Sequence, residues 1–562
     1  MKRPFLRNGM AVAAAAALLS VPALGTAAGA TASGPVYGGT LNLATQFPPP
    51  HLDPGQADDG VSIQFSVLSF DNLVTYAPTS SKLVGDLATH WKILDGGKEY
   101  VFYLRHGVTF SNGDPLTAQD VVFTFTRLNE AATANAYQSS YSDIVGAPAL
   151  FAGKAKTLSG IRAVGKYEVV MHLSQPELYW LNVIALPSAA IEDAKVAANW
   201  NAMEKAGKPI TPIGTGPFIL QPVTANSTEY VYVKNPHYWQ KGLPYVNRVV
   251  IHIGPSPTLQ MQQFQRGQLA AIPPIISVLN LTSAQYLQVR KSPSLKKEYW
   301  NIPSPGTYYL GFNANVKPWN SLYLRQAVEY AINKTFLNEV LNNSRALVAN
   351  SVLPPGIPGY EPTYDPYPVN DSTPQGVAAA QAKAKALLAK AGYPHGLNAG
   401  TFYVPEFGDP QGLAATVKEQ LAAVGIQVQP RLITLQAFFS LMTKPKAIGF
   451  YWLQWGQDYP DAEDFLYNLF DSAQSGNNNV DWYKNPKVDA LLAQADTGQN
   501  QAQRVRLYDE VQHIVMSQAA VVPLTYSWAD GLIGPNVYPK TPLIWSNVAP
   551  GFIQAWRIWI AK

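Results

Sequence analysis

An α/β protein of two or three domains is predicted by three features of the chain. Strand-like alternation and helical periodicity are interleaved along its length rather than segregated. Its 562 residues exceed what one hydrophobic core supports. No self-similarity at a period of roughly 20 to 50 residues points to a solenoid or a propeller. A hydrophobic content of 47%, with 13 Trp and 30 Tyr, describes a chain that folds and can line a pocket with rings. The net charge is only +4 and the basic residues are scattered, so there is no electrostatic footprint for nucleic acid. Charged residues make up 14%, which is compatible with service in an acidic medium.

The N-terminus reads as an export signal. Lys2, Arg3 and Arg7 form a basic region, Met10 to Leu24 an apolar one, and small residues through Ala32 offer a cleavage site. Residues 1–32 are therefore assigned as signal peptide, because the apolar run is shorter than the ~20 residues of a spanning helix. An uncleaved anchor is the alternative. The sequence holds no cysteine, which excludes disulfides, thiol catalysis and a lipid-modified cysteine at the cleavage point.

Gly38 to Leu43 alternates as an opening strand. The proline-rich loop from Phe47 to Pro54 follows, irregular because proline fixes φ and lacks an N–H. A second unit starts near Lys82. Tyr100 to Arg105 alternates as a strand and Ser111 to Pro115 turns; Thr117 and Asp120 then have capping-box spacing ahead of a helix with Val121, Phe125 and Leu128 on one face. Ile213-Gly-Thr-Gly-Pro-Phe218 lacks the Lys-Ser/Thr of a phosphate loop and reads as a close-packed turn. Tyr230 to Val233, Val249 to Ile253 and Tyr308 to Asn313 are strands. Leu324, Ala327, Val328 and Ala331 make the apolar stripe of a helix, whose Arg325 is assigned a surface role or a structural salt bridge. Gln375 to Ala391 and Gln501 to Met516 are two further helices.

The segment from Phe450 to Phe470, FYWLQWGQDYPDAEDFLYNLF, carries the candidate chemistry. A carboxylate at Asp458, walled by Trp452, Trp455 and Tyr459, is suited to hold an ammonium group by charge and ring quadrupole together. Between Ala447 and Tyr483 there is no Lys or Arg, while Asp458, Asp461, Glu463, Asp464, Asp471 and Asp481 all fall inside, so nothing local neutralises them. The plain alternative is an acidic loop with solvated carboxylates and core aromatics. Asp461 and Asp464, three apart, read as solvated on a surface helix rather than as a glycosidase pair. There is no Gly-x-Ser-x-Gly elbow and no His-Glu-x-x-His, and none of the eight histidines pairs with another at metal-ligand spacing. No enzymatic activity, cofactor or metal is therefore expected; His51 with Asp53 reads as a polar loop contact, with a metal contact as the alternative.

Seven segments occur in a telling order: Gly38 to Leu41, Leu52-Asp-Pro54, Trp91 through Phe125, Gly214 to Phe218, Tyr309 to Asn313, Leu324 to Ile332, and Trp455-Gly-Gln-Asp-Tyr459. In that order the chain resembles the extracellular solute-binding proteins, family 5, of dipeptide, oligopeptide and nickel-type ABC importers. The resemblance implies an α/β, two-lobed periplasmic-binding-protein-like fold of the large type II, with an extra subdomain inserted in lobe one. Lobe one would take 35–81, 205–303 and 522–562, the insertion 82–204, and lobe two 304–521. It implies a clamp that closes on its ligand by a hinge motion and offers it to a membrane permease. It also implies that Asp458 grips a peptide's α-ammonium, that the backbone of Trp455, Gly456 and Gln457 pairs with an extended peptide, and that Asp58 and Gly60 contact it from the opposite lobe. The implied partners are a peptide, or alternatively an oligosaccharide stacked on rings, and the permease of an ABC importer. The binding subunit itself is expected to be a monomer, exported to the periplasm or the outer face of the cytoplasmic membrane. A secreted hydrolase is the least supported reading.

Overall fold

Two long strands rich in aromatic and β-branched residues, Tyr299–Phe312 and Val521–Ile533, pair antiparallel from Tyr299 opposite Leu532 to Gly311 opposite Val521. Their register shifts between Pro303 and Thr307, where Pro305 has no N–H to give to the ladder. The computed structural model describes residues 34–561 apart from 225, 275–279, 370–371, 499 and 543–552, so the assigned signal peptide lies outside the described residues. No described helix is long and apolar enough to cross a membrane.

The two strands are the centre of a seven-stranded sheet that runs Ala271–Ile272, Val521–Ile533, Tyr299–Phe312, Phe450–Gly456, Leu397–Pro405, Ile426–Ile433, with Leu347–Val348 also pairing Val521–Ile533. Because strand side chains alternate between faces, this sheet builds two cores. Leu310, Phe312, Phe450 and Trp452 pack with the helices Leu322–Ala331, Pro374–Lys390 and Pro410–Ala423. Tyr309, Tyr451 and Leu453 pack on the other side with Glu463–Phe470, Pro486–Asp496 and Gln501–Ser517.

A second, four-stranded sheet runs Thr40–Thr45, Arg248–Ile253, Glu229–Lys234, Phe218–Leu220. The glycine turn before Phe218 packs on the end of the helix Gly60–Ser69. A Cβ at Gly214 would lie 2.1 Å from the Ser69 carbonyl oxygen, and one at Gly216 would lie 2.4 Å from the Ser69 carbonyl carbon. The turn is thus close-packed, as its sequence suggests. A third, antiparallel sheet, Ala88–Leu94, Glu99–Leu104, Glu168–His172, Ile161–Val164, supports the helix Ala118–Leu128, whose Thr117 and Asp120 form the capping box. Sheets and covering helices together make an α/β fold of two lobes.

Two expectations change at this level. Asp53 is buried as the ion-pair partner of Arg127, which also holds the buried Glu192, so its role is structural rather than a loop contact with His51. Among the described residues Arg325 makes no salt bridge. Its guanidinium is buried and donates to the carbonyls of Trp319, Gln518 and Ala519, the last two just past Gln501–Ser517, where a helix end leaves acceptors without partners.

Candidate ligand-binding site

The strand Phe450–Gly456 pairs with Tyr299–Phe312 over its whole length, from Phe450 opposite Phe312 to Gly456 opposite Gly306. Its other edge pairs with Leu397–Pro405 only at Phe450 and Tyr451. From Trp452 to Gly456 no described strand occupies that edge, and an unpaired edge is a template for one more strand. The end of the strand is held by Gln457, whose N–H donates to the Pro305 carbonyl at 3.0 Å. The chain then turns through Asp458 into the helix Glu463–Phe470.

Beside that turn lies a cavity of about 400 Å³. Trp455, Asp458, Tyr459, Glu463, Asp464 and Asp496 line it from one side, and Tyr137, Asp143 and Tyr179 from the other. Among the described residues lining it, five carry carboxyl groups and none is Lys, Arg or His. The Asp458 carboxylate accepts a hydrogen bond from Tyr137, while its backbone N–H donates to Asp464 at 2.9 Å. Burial pushes the Asp458 pKa up to about 6, against the lowering effect of the Tyr137 hydroxyl. Burial, and then repulsion from Asp458, holds Asp464 well above the usual carboxylate range. Burial also raises Asp496, to about 7, with Arg504 opposing, and Glu463, which accepts from the Tyr459 hydroxyl. Such a cavity complements a cation.

The acidic segment is neutralised after all, from a distance. Arg504, on Gln501–Ser517, places two guanidinium nitrogens 2.8 Å from the two Asp461 oxygens, donates to Tyr508 and lies 5.4 Å over the Tyr179 ring. Asp461 and Asp464 are 2% and 0% exposed, so neither is a solvated surface carboxylate.

Of the residues assigned to the site, Trp455, Asp458 and Tyr459 line the cavity together, and Gly456 and Gln457 end the open strand edge. Asp58 comes within electrostatic reach of the Tyr137 hydroxyl that binds Asp458, and Gly60 opens the helix Gly60–Ser69, capped by Asp59. Trp452 is not part of the wall around Asp458. It is stacked on Phe407 at 4.3 Å and Tyr308 at 5.9 Å and lines a different cavity. The reason is parity: residues an odd number apart on a strand point to opposite faces. Tyr459 stacks at 6.1 Å on Tyr179. Tyr137, Asp143, Tyr179 and Asp496 were not singled out from the sequence, and nothing in their own segments marks them.

The raised carboxyl groups set a pH dependence of stability. A buried acid with a folded-state pKa above its unfolded value binds more protons folded than unfolded between the two. Stability is therefore gained as pH falls through the folded values, here about 6 for Asp458, about 7 for Asp496 and about 8 for Asp481. We expect the denaturation midpoint of the ligand-free protein to rise from pH 8 to pH 5, as urea titrations monitored by Trp fluorescence would measure; a fall over that range would contradict it.

Comparison with known proteins supplies the family. The chain is 28% identical over 526 residues to heme-binding protein A of Haemophilus influenzae, covering 90% of each. It is 24% identical over 525 residues to di/tripeptide-binding protein 1 of Pseudomonas aeruginosa, covering 90% of this chain and 92% of that one. Its fold matches the solved clavulanic acid biosynthesis oligopeptide binding protein 2 with a TM-score of 0.82, at 22% identity over 94% of this chain and 96% of the other. This is the two-lobed periplasmic-binding-protein-like architecture. The family model of bacterial extracellular solute-binding proteins, family 5, matches residues 82–477, more than half of the sequence, and the chain belongs to that family.

Proposed function

We infer that the chain is the extracytoplasmic binding subunit of an ABC importer, without enzymatic activity, and that it captures a peptide whose α-ammonium sits on Asp458. The observation that carries this reading is the placement of Asp458. Its carboxylate stands at the end of an open strand edge, in a cavity lined by acids and by no cation among the described residues. The edge from Trp452 to Gly456 offers main-chain hydrogen bonds to an extended ligand, and the carboxylate fixes which end of it lies there. A relative named for di- and tripeptides agrees with this chemistry. Two rings of the cavity, Tyr459 and Tyr179, stack on each other rather than both presenting free faces, which favours a peptide over an oligosaccharide. The division into lobe one (35–81, 205–303, 522–562), its insertion (82–204) and lobe two (304–521) puts Tyr137 and Asp458 on opposite sides of the closing clamp. Delivery is then to a membrane permease from the periplasm or outer membrane face.

Calorimetry with a peptide and its N-acetylated counterpart tests the assignment. Acetylation removes the charge and is expected to weaken binding at least tenfold; equal affinities would remove the case for Asp458. The pH profile follows with a definite sign. A bound ammonium stabilises the ionised carboxylate, so the ligand favours the deprotonated form and affinity falls as pH drops below about 6. Above roughly pH 8 the ligand's own α-amino group loses its proton and affinity falls again. Affinity measured from pH 4.5 to 9 is expected to peak between these limits.

A further inference from the structure

A second cavity, of about 280 Å³, adjoins the same strand and shares no lining residue with the acidic one. Leu337, Leu341, Leu413 and Leu524 line it with the indoles of Trp452 and Trp528. The one cation on its wall among the described residues is committed elsewhere: Arg345 donates to Asp530 and to the carbonyls of Leu281 and Asn342, and lies 4.8 Å over Tyr286 and 5.3 Å over Trp528. Trp452 is 5% exposed, and its indole, which lines the cavity, is stacked on Phe407 at 4.3 Å.

We propose that this cavity is an anchor for a bulky apolar side chain of the same ligand, so that the protein selects peptides of four or more residues with such a side chain at the third position or beyond. The proposal rests on the peptide reading of the Asp458 site. Continuity is the argument: Asp458 and Trp455 stand at the acidic cavity, Trp452 stands at the apolar one, and the unpaired edge of Phe450–Gly456 runs between them. Extended chain advances roughly 3.3 Å per residue, so the open edge from Trp452 to Gly456, four residue steps, is about 13 Å long. A dipeptide held by its ammonium would not reach. The size fits as well: an apolar cavity of about 150 Å³ takes a benzene ring, and this one takes a Leu, Phe or Trp side chain.

The test uses the wild-type protein and hexapeptides with a free amino terminus, mostly Ala, in which a single Phe is walked from position two to position six. Calorimetry is expected to show one position, third or later, at which Phe binds at least tenfold more tightly than Ala. In Leu341→Trp, which fills the cavity, that preference is expected to vanish while the all-Ala peptide binds as before. Should that variant fail to fold, Leu341→Glu, at a half-buried helix position, is expected to remove the preference in the same way. Peptide binding that depends on Asp458 without preference at any position would overturn the anchor alone. A preference that survives the Leu341 variants would also overturn it, and failure of every peptide to bind would overturn the anchor together with the reading beneath it.

Discussion

Asp458→Asn is expected to weaken binding of a peptide with a free amino terminus by roughly ten- to a hundred-fold, with the N-acetylated peptide little affected. The substitution keeps the shape and the acceptor for the Tyr137 hydroxyl, and it removes only the charge. A hydrogen bond to a charged group contributes about 1.5 to 3 kcal/mol. The upper part of that range is expected, because the cavity around Asp458 is lined by further acids and by no competing cation among the described residues. Stability should move the other way. Asp458 and Asp464 repel each other in the ligand-free protein, which burial aggravates, so a neutral Asn there leaves the fold as stable or more so near pH 7. Affinity lost while the denaturation midpoint holds or rises is the signature of a residue that serves the ligand and not the fold; a change in affinity under about twofold would argue against the role.

Arg504→Met is expected to be the most destabilising single change near the site, by about 3 to 5 kcal/mol, because it leaves Asp461 buried with no counter-charge. Among the described residues Asp461 has no other cation bound to it, and Arg504 additionally donates to Tyr508 and to the Ala495 carbonyl. Urea denaturation at pH 7 measures the loss. Adding Asp461→Leu should recover much of it, since replacing both members of a buried pair by apolar groups is often close to neutral. If the double variant is no more stable than the single one, packing by the arginine stem rather than the charge pair holds this region together. The cavity feels the change as well. Arg504 lowers the pKa of Asp496 and Glu463, so its removal raises both further and narrows the pH range in which the cavity is negatively charged.

The readings that survive intact from sequence to structure are those whose causes lie within a few residues. The capping box of Thr117 and Asp120 is a contact three residues long. The Gly214-Thr-Gly-Pro turn depends on the lack of a side chain where the backbone meets Ser69. Alternation in Tyr100 to Arg105 and Val249 to Ile253 reports a face and its opposite, and both are strands, Glu99–Leu104 and Arg248–Ile253. The order of seven such segments sufficed for the family. Trp452 stands away from Asp458 for an instructive reason: nearness along the chain is not nearness in space where a strand turns every second side chain away.

The sequence by itself determined the mixed α/β class and the family, and singled out Asp458 as the candidate carboxylate, because local pattern and order carry all three. Only the tertiary structure decided how that carboxylate is surrounded. Tyr137 and Asp143 come from the third sheet's subdomain, and Arg504 reaches Asp461 from 43 residues further on. Charge compensation and burial act through a few ångströms of space whatever the length of chain between the partners, so a window of sequence shows the acids without the groups that set their ionisation.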